Sequence, residues 1–264
     1  MAKQDFIPDT GEIQGVFKGL RIHDSIGAGG QKVVFEAFHT EHGRIALKLV
    51  KPGNAEDRSR SLREIEVSKD VAGPHFARIY DYGETMVGAD SVLFIFEEFL
   101  EGQNLRRILE KERSLSLSRT LEVAEAVLEA LVVLHGRNVV HRDIKPENIF
   151  VTREGRIVVL DMGIARHLSL DSLTADAAPF GPLTPGYGAP EQITNKKRII
   201  GWGTDMFLFG VVVYECLTGS NPFVTGHVGE TLQNTLRVEP TALRELGFNR
   251  LFTLKIPIKI LFLG

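Results

Sequence analysis

The stretch His141-Arg142-Asp143-Ile144-Lys145-Pro146-Glu147-Asn148 decides how the rest of the chain is read, because it packs an acid, a base and an amide into eight residues. Val139-Val140 before it and Ile149-Phe150-Val151 after it are short apolar, β-like runs, so the octet is expected as a loop held between two buried anchors. Such a loop can hold Asp143 and Asn148 as a fixed pair. An acid followed five positions on by an amide suits a site that accepts a proton and ligates a hard cation through oxygen. The bland alternative is a surface turn, since Pro, Asn and Asp are common turn residues.

Downstream, the β run Arg156 to Leu160 ends in Asp161-Met162-Gly163, which puts a second carboxylate at a strand end. Residues 164–182 are rich in Ser, Thr, Asp, Ala and Pro and read as a loop carrying Ser169, Ser172 and Thr174. It closes on Thr184-Pro185-Gly186-Tyr187-Gly188-Ala189-Pro190-Glu191, and Asp205 to Leu217 is apolar enough for a buried helix.

Upstream, Leu20-Arg21-Ile22 and Val33 to Phe38 are strand-like and flank Gly27-Ala28-Gly29-Gly30-Gln31-Lys32, a hairpin with a glycine turn. Glycines let backbone N–H groups approach a phosphate, although many hairpins use them for backbone conformation alone. Arg44 to Val50 is a third strand in which Lys48 interrupts apolar neighbours and requires an anion. A helix is expected over 56–71, where Leu62, Ile65 and Val71 share a face and Glu64 is a candidate partner for Lys48. Solvated charges are the ordinary fate of such residues. Ala77 to Tyr82 and Val92 to Phe96 complete five strands, and after 97–102 the pattern turns helical, with an apolar stripe from Ser118 to His135. Residues 1–18 read as a poorly ordered lead-in.

At 264 residues with a net charge of −3 and well-mixed charges, the chain can bury a real core and shows no dedicated nucleic-acid surface. Its single cysteine, Cys216, can form no intrachain disulfide, which suits a reducing compartment. The first ten residues lack the apolar core of a signal peptide and no apolar run is long enough to cross a bilayer, so the expectation is a soluble, cytoplasmic chain without a membrane segment.

Taken together, these residues resemble the eukaryotic-type (Hanks-type) Ser/Thr protein kinases, bacterial members included, from about Leu20 to Phe223. His141 to Asn148 is similar to the catalytic loop, Asp161-Met162-Gly163 to the DFG motif, Ala189-Pro190-Glu191 to the APE motif, and Ile45-Ala46-Leu47-Lys48 to the VAIK strand, with Glu64 at the helical glutamate. The resemblance implies an α+β, two-lobed kinase-like fold: a five-stranded antiparallel N-lobe with one helix over about 19–98 and a mainly helical C-lobe over about 99–264. It implies Asp143 as proton acceptor, Lys145 beside it, and Lys48 held by Glu64 on the ATP phosphates. Gly27, Ala28, Gly29, Gly30, Val34, Ala46, Glu98 and Phe150 would surround the nucleotide, and Asn148 and Asp161 would hold Mg²⁺, with Mn²⁺ as a substitute. Lys145 with Thr184 is similar to the Ser/Thr-specific pattern, so a protein Ser or Thr is the implied acceptor. Arg142 and the hydroxyls at 169, 172 and 174 suggest control by phosphorylation of that loop.

Several positions depart from the pattern. Lys32 stands at the third glycine of the loop, Met162 at the DFG phenylalanine, and Glu97 at the gatekeeper if no gap intervenes, with Phe96 there otherwise. The chain is atypical after about 224: no recognisable arginine motif follows for Glu191, and Leu254, Ile256, Ile258 and Ile260 alternate like a strand whose exposed edge would favour self-association. The rival readings are a pseudokinase or nucleotide-binding regulatory module without turnover, and a small-molecule kinase on a related fold.

Overall fold

The computed structural model describes residues 6–29, 31–161 and 184–248. The chain divides into two compact units, the first running to Gly102 and including Leu160 and Asp161, the second built from Gln103–Val159 and the later residues.

The first unit is a five-stranded antiparallel sheet of β1 (Leu20–Gly29), β2 (Lys32–His39), β3 (Gly43–Val50), β4 (Ile79–Val87) and β5 (Asp90–Glu98), in the order β1-β2-β3-β5-β4. Alternation of side chains gives the sheet two working faces. On one, Phe35, Leu47 and Phe96 lie in register across three strands and join Val33, Ala37, Ile45 and Leu49 in a buried cluster. On the other, Val50, Leu93 and Ile95 pack against Ile65 of α2 (Ala55–Asp70). Asn54 starts α2 by accepting the N–H of Asp57 at 2.8 Å, leaving fewer N–H groups without partners at the helix start.

Within the lead-in expected over 1–18, of which 1–5 lie outside the described residues, the chain forms a short helix, α1 (Thr10–Val16). The Asp9 carboxylate accepts from Gly11 N–H at 2.8 Å and Glu12 N–H at 3.3 Å, and Ile13 and Phe17 enter the sheet's apolar cluster. Burial of Ile13 contributes on the order of 2 kcal/mol, one of the tertiary contacts on which a segment too short to be helical alone depends.

The second unit is mainly helical. After β6 (Gly102–Asn104) come α3 (Leu105–Glu112) and α4 (Leu117–His135), whose buried stripe Val123, Val127, Leu131 and Leu134 follows the 3.6-residue period. Next are β7 (Ile149–Thr152) and β8 (Ile157–Val159), antiparallel to each other in a small sheet of order β6-β7-β8. The short α5 (Pro190–Ile193), the buried α6 (Trp202–Thr218) and α7 (Val228–Arg237) follow. Gly219 ends α6 at φ 76°, where an added Cβ would lie 3.0 Å from the Arg113 carbonyl oxygen, so both conformation and space require glycine. The expected strand character of Val139-Val140 is absent. Asn138 turns the chain at φ 58°, Val139 N–H returns to the Leu134 carbonyl, and irregular backbone follows. The alternating run 254–260 and the hydroxyls at 169, 172 and 174 lie outside the described residues.

Candidate active site

In the first unit, functional side chains gather on the sheet face that carries α2. The register sets Lys32 opposite Val50, Lys48 opposite Ile95 and Ala46 opposite Glu97, so Lys32, Lys48 and Glu97 occupy one face of three adjacent strands. Lys48 Nζ lies 2.5 Å from Glu97 Oε2 and 3.1 Å from Asp161 Oδ1, while Lys32 Nζ reaches Asp161 Oδ2 at 2.6 Å. Burial would lower the Lys48 ammonium, but the charges of Asp161 and Glu97 outweigh it and hold it above the usual lysine range. Burial likewise opposes ionisation of Asp161. The two lysines win there, holding the carboxyl well below its ordinary range. For Glu97, burial prevails over the pull of Lys48 and the carboxyl is raised.

These distances bear on the partner expected for Lys48. Among the described residues Lys48 bonds to Glu97 and Asp161 rather than to Glu64. The reason is register: Glu97 is fixed to β3 by the strand ladder, whereas Glu64 sits on a separate helix.

Gly27, Ala28 and Gly29 end β1 opposite Val34, Val33 and Lys32, and this strand end is solvent-exposed. Neither glycine has positive φ, and nothing among the described residues stands within 4 Å of where a Cβ would be. Neither backbone conformation nor internal packing demands glycine there. What it preserves is bare backbone that an anion can approach. Ala46 is buried on β3, Glu98 ends β5, Phe150 lies on β7 in the second unit, and Gly30 is outside the described residues.

In the second unit, the octet runs as irregular backbone into a 3-10 turn over Pro146–Asn148, anchored by the fully buried Ile144 and Ile149. Asp143 Oδ2 accepts from Asn148 Nδ2 at 2.8 Å and faces Lys145 Nζ at 3.1 Å. Lys145 Nζ also donates to Thr184 Oγ1 at 3.0 Å. Asn148 gives its NH₂ to the Asp143 carboxylate and to the Asp143 carbonyl, and its amide oxygen takes no part in either bond. Arg142 and Asp161 hold φ of 66° and 56°, left-handed values that cost a non-glycine residue on the order of 1 kcal/mol or more and persist where the surroundings impose them.

The surroundings that impose the octet's shape were not visible as such in the sequence. The fully buried Asp205 of α6 accepts from His141 N–H at 2.9 Å and Arg142 N–H at 2.7 Å, and it meets His135 Nε2 at 2.8 Å. Gln192 donates to the Arg142 carbonyl at 3.0 Å. Arg106 of α3 ties Glu147 at 2.8 Å to Glu215 at 2.7 Å and donates to the Tyr187 hydroxyl. Burial opposes the Arg106 charge, but these acids outweigh it and raise its pKa. The one signal available was a lone Asp at the head of an apolar helical run. Glu191, for which the sequence offers no recognisable arginine motif, accepts from the Thr204 hydroxyl.

Residues 20–251 match the family described as protein kinase domain. The chain is 34% identical over 223 residues to the serine/threonine-protein kinase PknD of Mycobacterium tuberculosis, an alignment covering 83% of this chain and 32% of that protein. It is 35% identical over 223 residues to a probable serine/threonine-protein kinase of Streptomyces coelicolor, covering 82% and 32%. To the serine/threonine-protein kinase PknH of Mycobacterium bovis it is 31% identical over 239 residues, covering 88% and 39%. The chain thus spans about a third of the length of the relatives it matches.

Proposed function

We propose that this chain, which belongs to the protein kinase domain family, transfers the γ-phosphoryl group of ATP to a Ser or Thr hydroxyl of a protein substrate. The observation that carries the reading is the seating of Asp143 between Asn148 Nδ2 and Lys145 Nζ, with Lys145 also on Thr184. An acid held in this way is placed to receive a proton while a cation beside it steadies an anionic transfer. The family match runs through both units and supports assigning their residues to one reaction.

The donor chemistry fits a hard divalent cation: Asp161 is kept ionised by two lysines, and Asn148 has its nitrogen tied and its oxygen left as acceptor. Asp161 and Asn148 are the residues that would hold Mg²⁺, and Mn²⁺ takes the same oxygen donors. Bound there, the ion would supply charge neutralisation of the phosphates. Lys48 offers its ammonium to the non-transferred phosphates, beside the bare backbone of Gly27 and Gly29. Asp143 accepts the proton of the substrate hydroxyl as its oxygen bonds to the γ-phosphorus, and the bond from that phosphorus to the β–γ bridging oxygen breaks to leave ADP. Thr184, by fixing Lys145, supports the preference for an alcohol acceptor over a phenol.

We place this activity in the cytoplasm, where ATP is supplied. No helix among the described residues is long and apolar enough to cross a membrane. The test is incubation of the purified chain with γ-labelled ATP, Mg²⁺ and a generic acceptor protein, beside Asp143→Asn. Transfer in the wild type that is lost in the variant is the expected result. Nucleotide binding without any transfer would instead favour a regulatory module.

A further inference from the structure

We infer that Glu97, rather than Glu64, is the residue that positions Lys48 for the nucleotide; this rests on the kinase reading above. Lys48 faces Ile95 across the β3–β5 ladder and Ala46 faces Glu97, so Lys48 and Glu97 are diagonal neighbours on one sheet face, close enough for direct side-chain contact. The contact is made: Nζ to Oε2 is 2.5 Å, and the two side chains are only 11% and 12% exposed. A pair so withdrawn from water is weakly screened and holds its geometry far better than a surface ion pair.

The lysine's remaining chemistry agrees with a binding role. An ammonium has three N–H donors, and Glu97 and Asp161 account for two. No other residue among those described takes the third, which is offered to a phosphate oxygen. Glu64 belongs to α2, whereas Glu97 lies on the strand paired with that of Lys48, so Lys48 takes its aim from within the sheet.

The source of the carboxylate changes how the site is controlled. A partner on a separate helix makes the lysine's aim depend on where that helix docks. A partner on the adjacent strand makes it depend on backbone register, which the hydrogen-bonded ladder fixes. The orientation of Lys48 is thereby built into the sheet and does not follow displacement of α2. Glu97 is a positioning residue that acts through Lys48 and touches no reacting atom.

The experiment measures the dissociation constant of a fluorescent ADP analogue at fixed Mg²⁺ for the full chain and for Glu97→Gln, Glu97→Asp, Glu64→Gln and Lys48→Met, with melting temperatures to verify folding. Glu97→Gln is expected to weaken binding about tenfold or more and Glu97→Asp, which keeps the charge one methylene back, to recover part of the loss. Glu64→Gln is expected to weaken it by less than a third of that factor. In a Lys48→Met background the Glu97→Gln change should add nothing, because its target is gone; this comparison reads positioning even if the single variant loses stability. Glu64→Gln weakening binding as much as Glu97→Gln, or Glu97→Gln acting equally with and without Lys48, overturns the assignment alone. A wild-type chain that binds no adenine nucleotide overturns the kinase reading and this assignment with it.

Discussion

The carboxylate of Asp205 accepts the backbone N–H of Arg142 at 2.7 Å, tying a buried helix to the residue just before Asp143. The same carboxylate holds His141 N–H and His135, so one side chain serves three donors in a place water does not reach. Asp205→Ala would leave two backbone N–H groups without their acceptor. The expected loss is about 2–5 kcal/mol in denaturant unfolding, with turnover falling more than tenfold. Asp205→Asn keeps one acceptor oxygen and should cost less on both scales.

Thr184→Val conserves shape and removes the hydroxyl that Lys145 Nζ reaches at 3.0 Å. A hydrogen bond from a charged donor is worth about 1.5 kcal/mol, so turnover should fall roughly tenfold. Nucleotide affinity should stay unchanged, because the role proposed for this contact is on the acceptor side of the reaction. Steady-state kinetics in ATP and in substrate separate the two effects.

Ile13 of α1 is fully buried in the apolar cluster of the first unit, whereas Ile7 is 62% exposed. Ile13→Ala should therefore destabilise by about 2–5 kcal/mol and Ile7→Ala by less than about 0.5 kcal/mol. Urea unfolding followed by circular dichroism measures both. Equal, small effects would return the segment to the status of a lead-in.

Burial pushes the Cys216 thiol from its ordinary 9.0 up to about 12, with the neighbouring Glu215 charge adding to the shift. The native thiol stays protonated at pH values where the unfolded one ionises. Stability from this group is complete below pH 9 and is lost as pH rises from there towards 12, by about 1.4 kcal/mol at pH 10. Denaturation at pH 8 and pH 10, wild type against Cys216→Ala, should show that extra loss only in the wild type. Iodoacetamide should leave native Cys216 unmodified at pH 8.

Much of this was legible in the sequence where side-chain period and local chemistry carry the information. Lys48 among apolar neighbours, Asp161 at a strand end and the octet around Asp143 needed only their immediate context. What was hidden depends on which strands and helices meet. Glu97 two positions from Ile95 says nothing about Lys48 until β3 and β5 are known to be adjacent in one register. Asp205 at the head of an apolar helix reads as an ordinary helix-terminal acid until its two backbone donors are brought to it. Nothing local marks the first helix, because Gly11 and Gly15 weaken a seven-residue segment that only tertiary packing stabilises. Val139-Val140 looked like a strand because apolar residues near a loop anchor read alike in both conformations.

The central claim, phosphoryl transfer to an alcohol through Asp143, is tested most directly by phosphoamino-acid analysis after incubation with γ-labelled ATP and Mg²⁺, for wild type, Asp143→Asn and Asp161→Asn. The account predicts label in phosphoserine or phosphothreonine for the wild type and at least a hundredfold less for both variants. Label in phosphotyrosine, or undiminished transfer by Asp143→Asn, would contradict it.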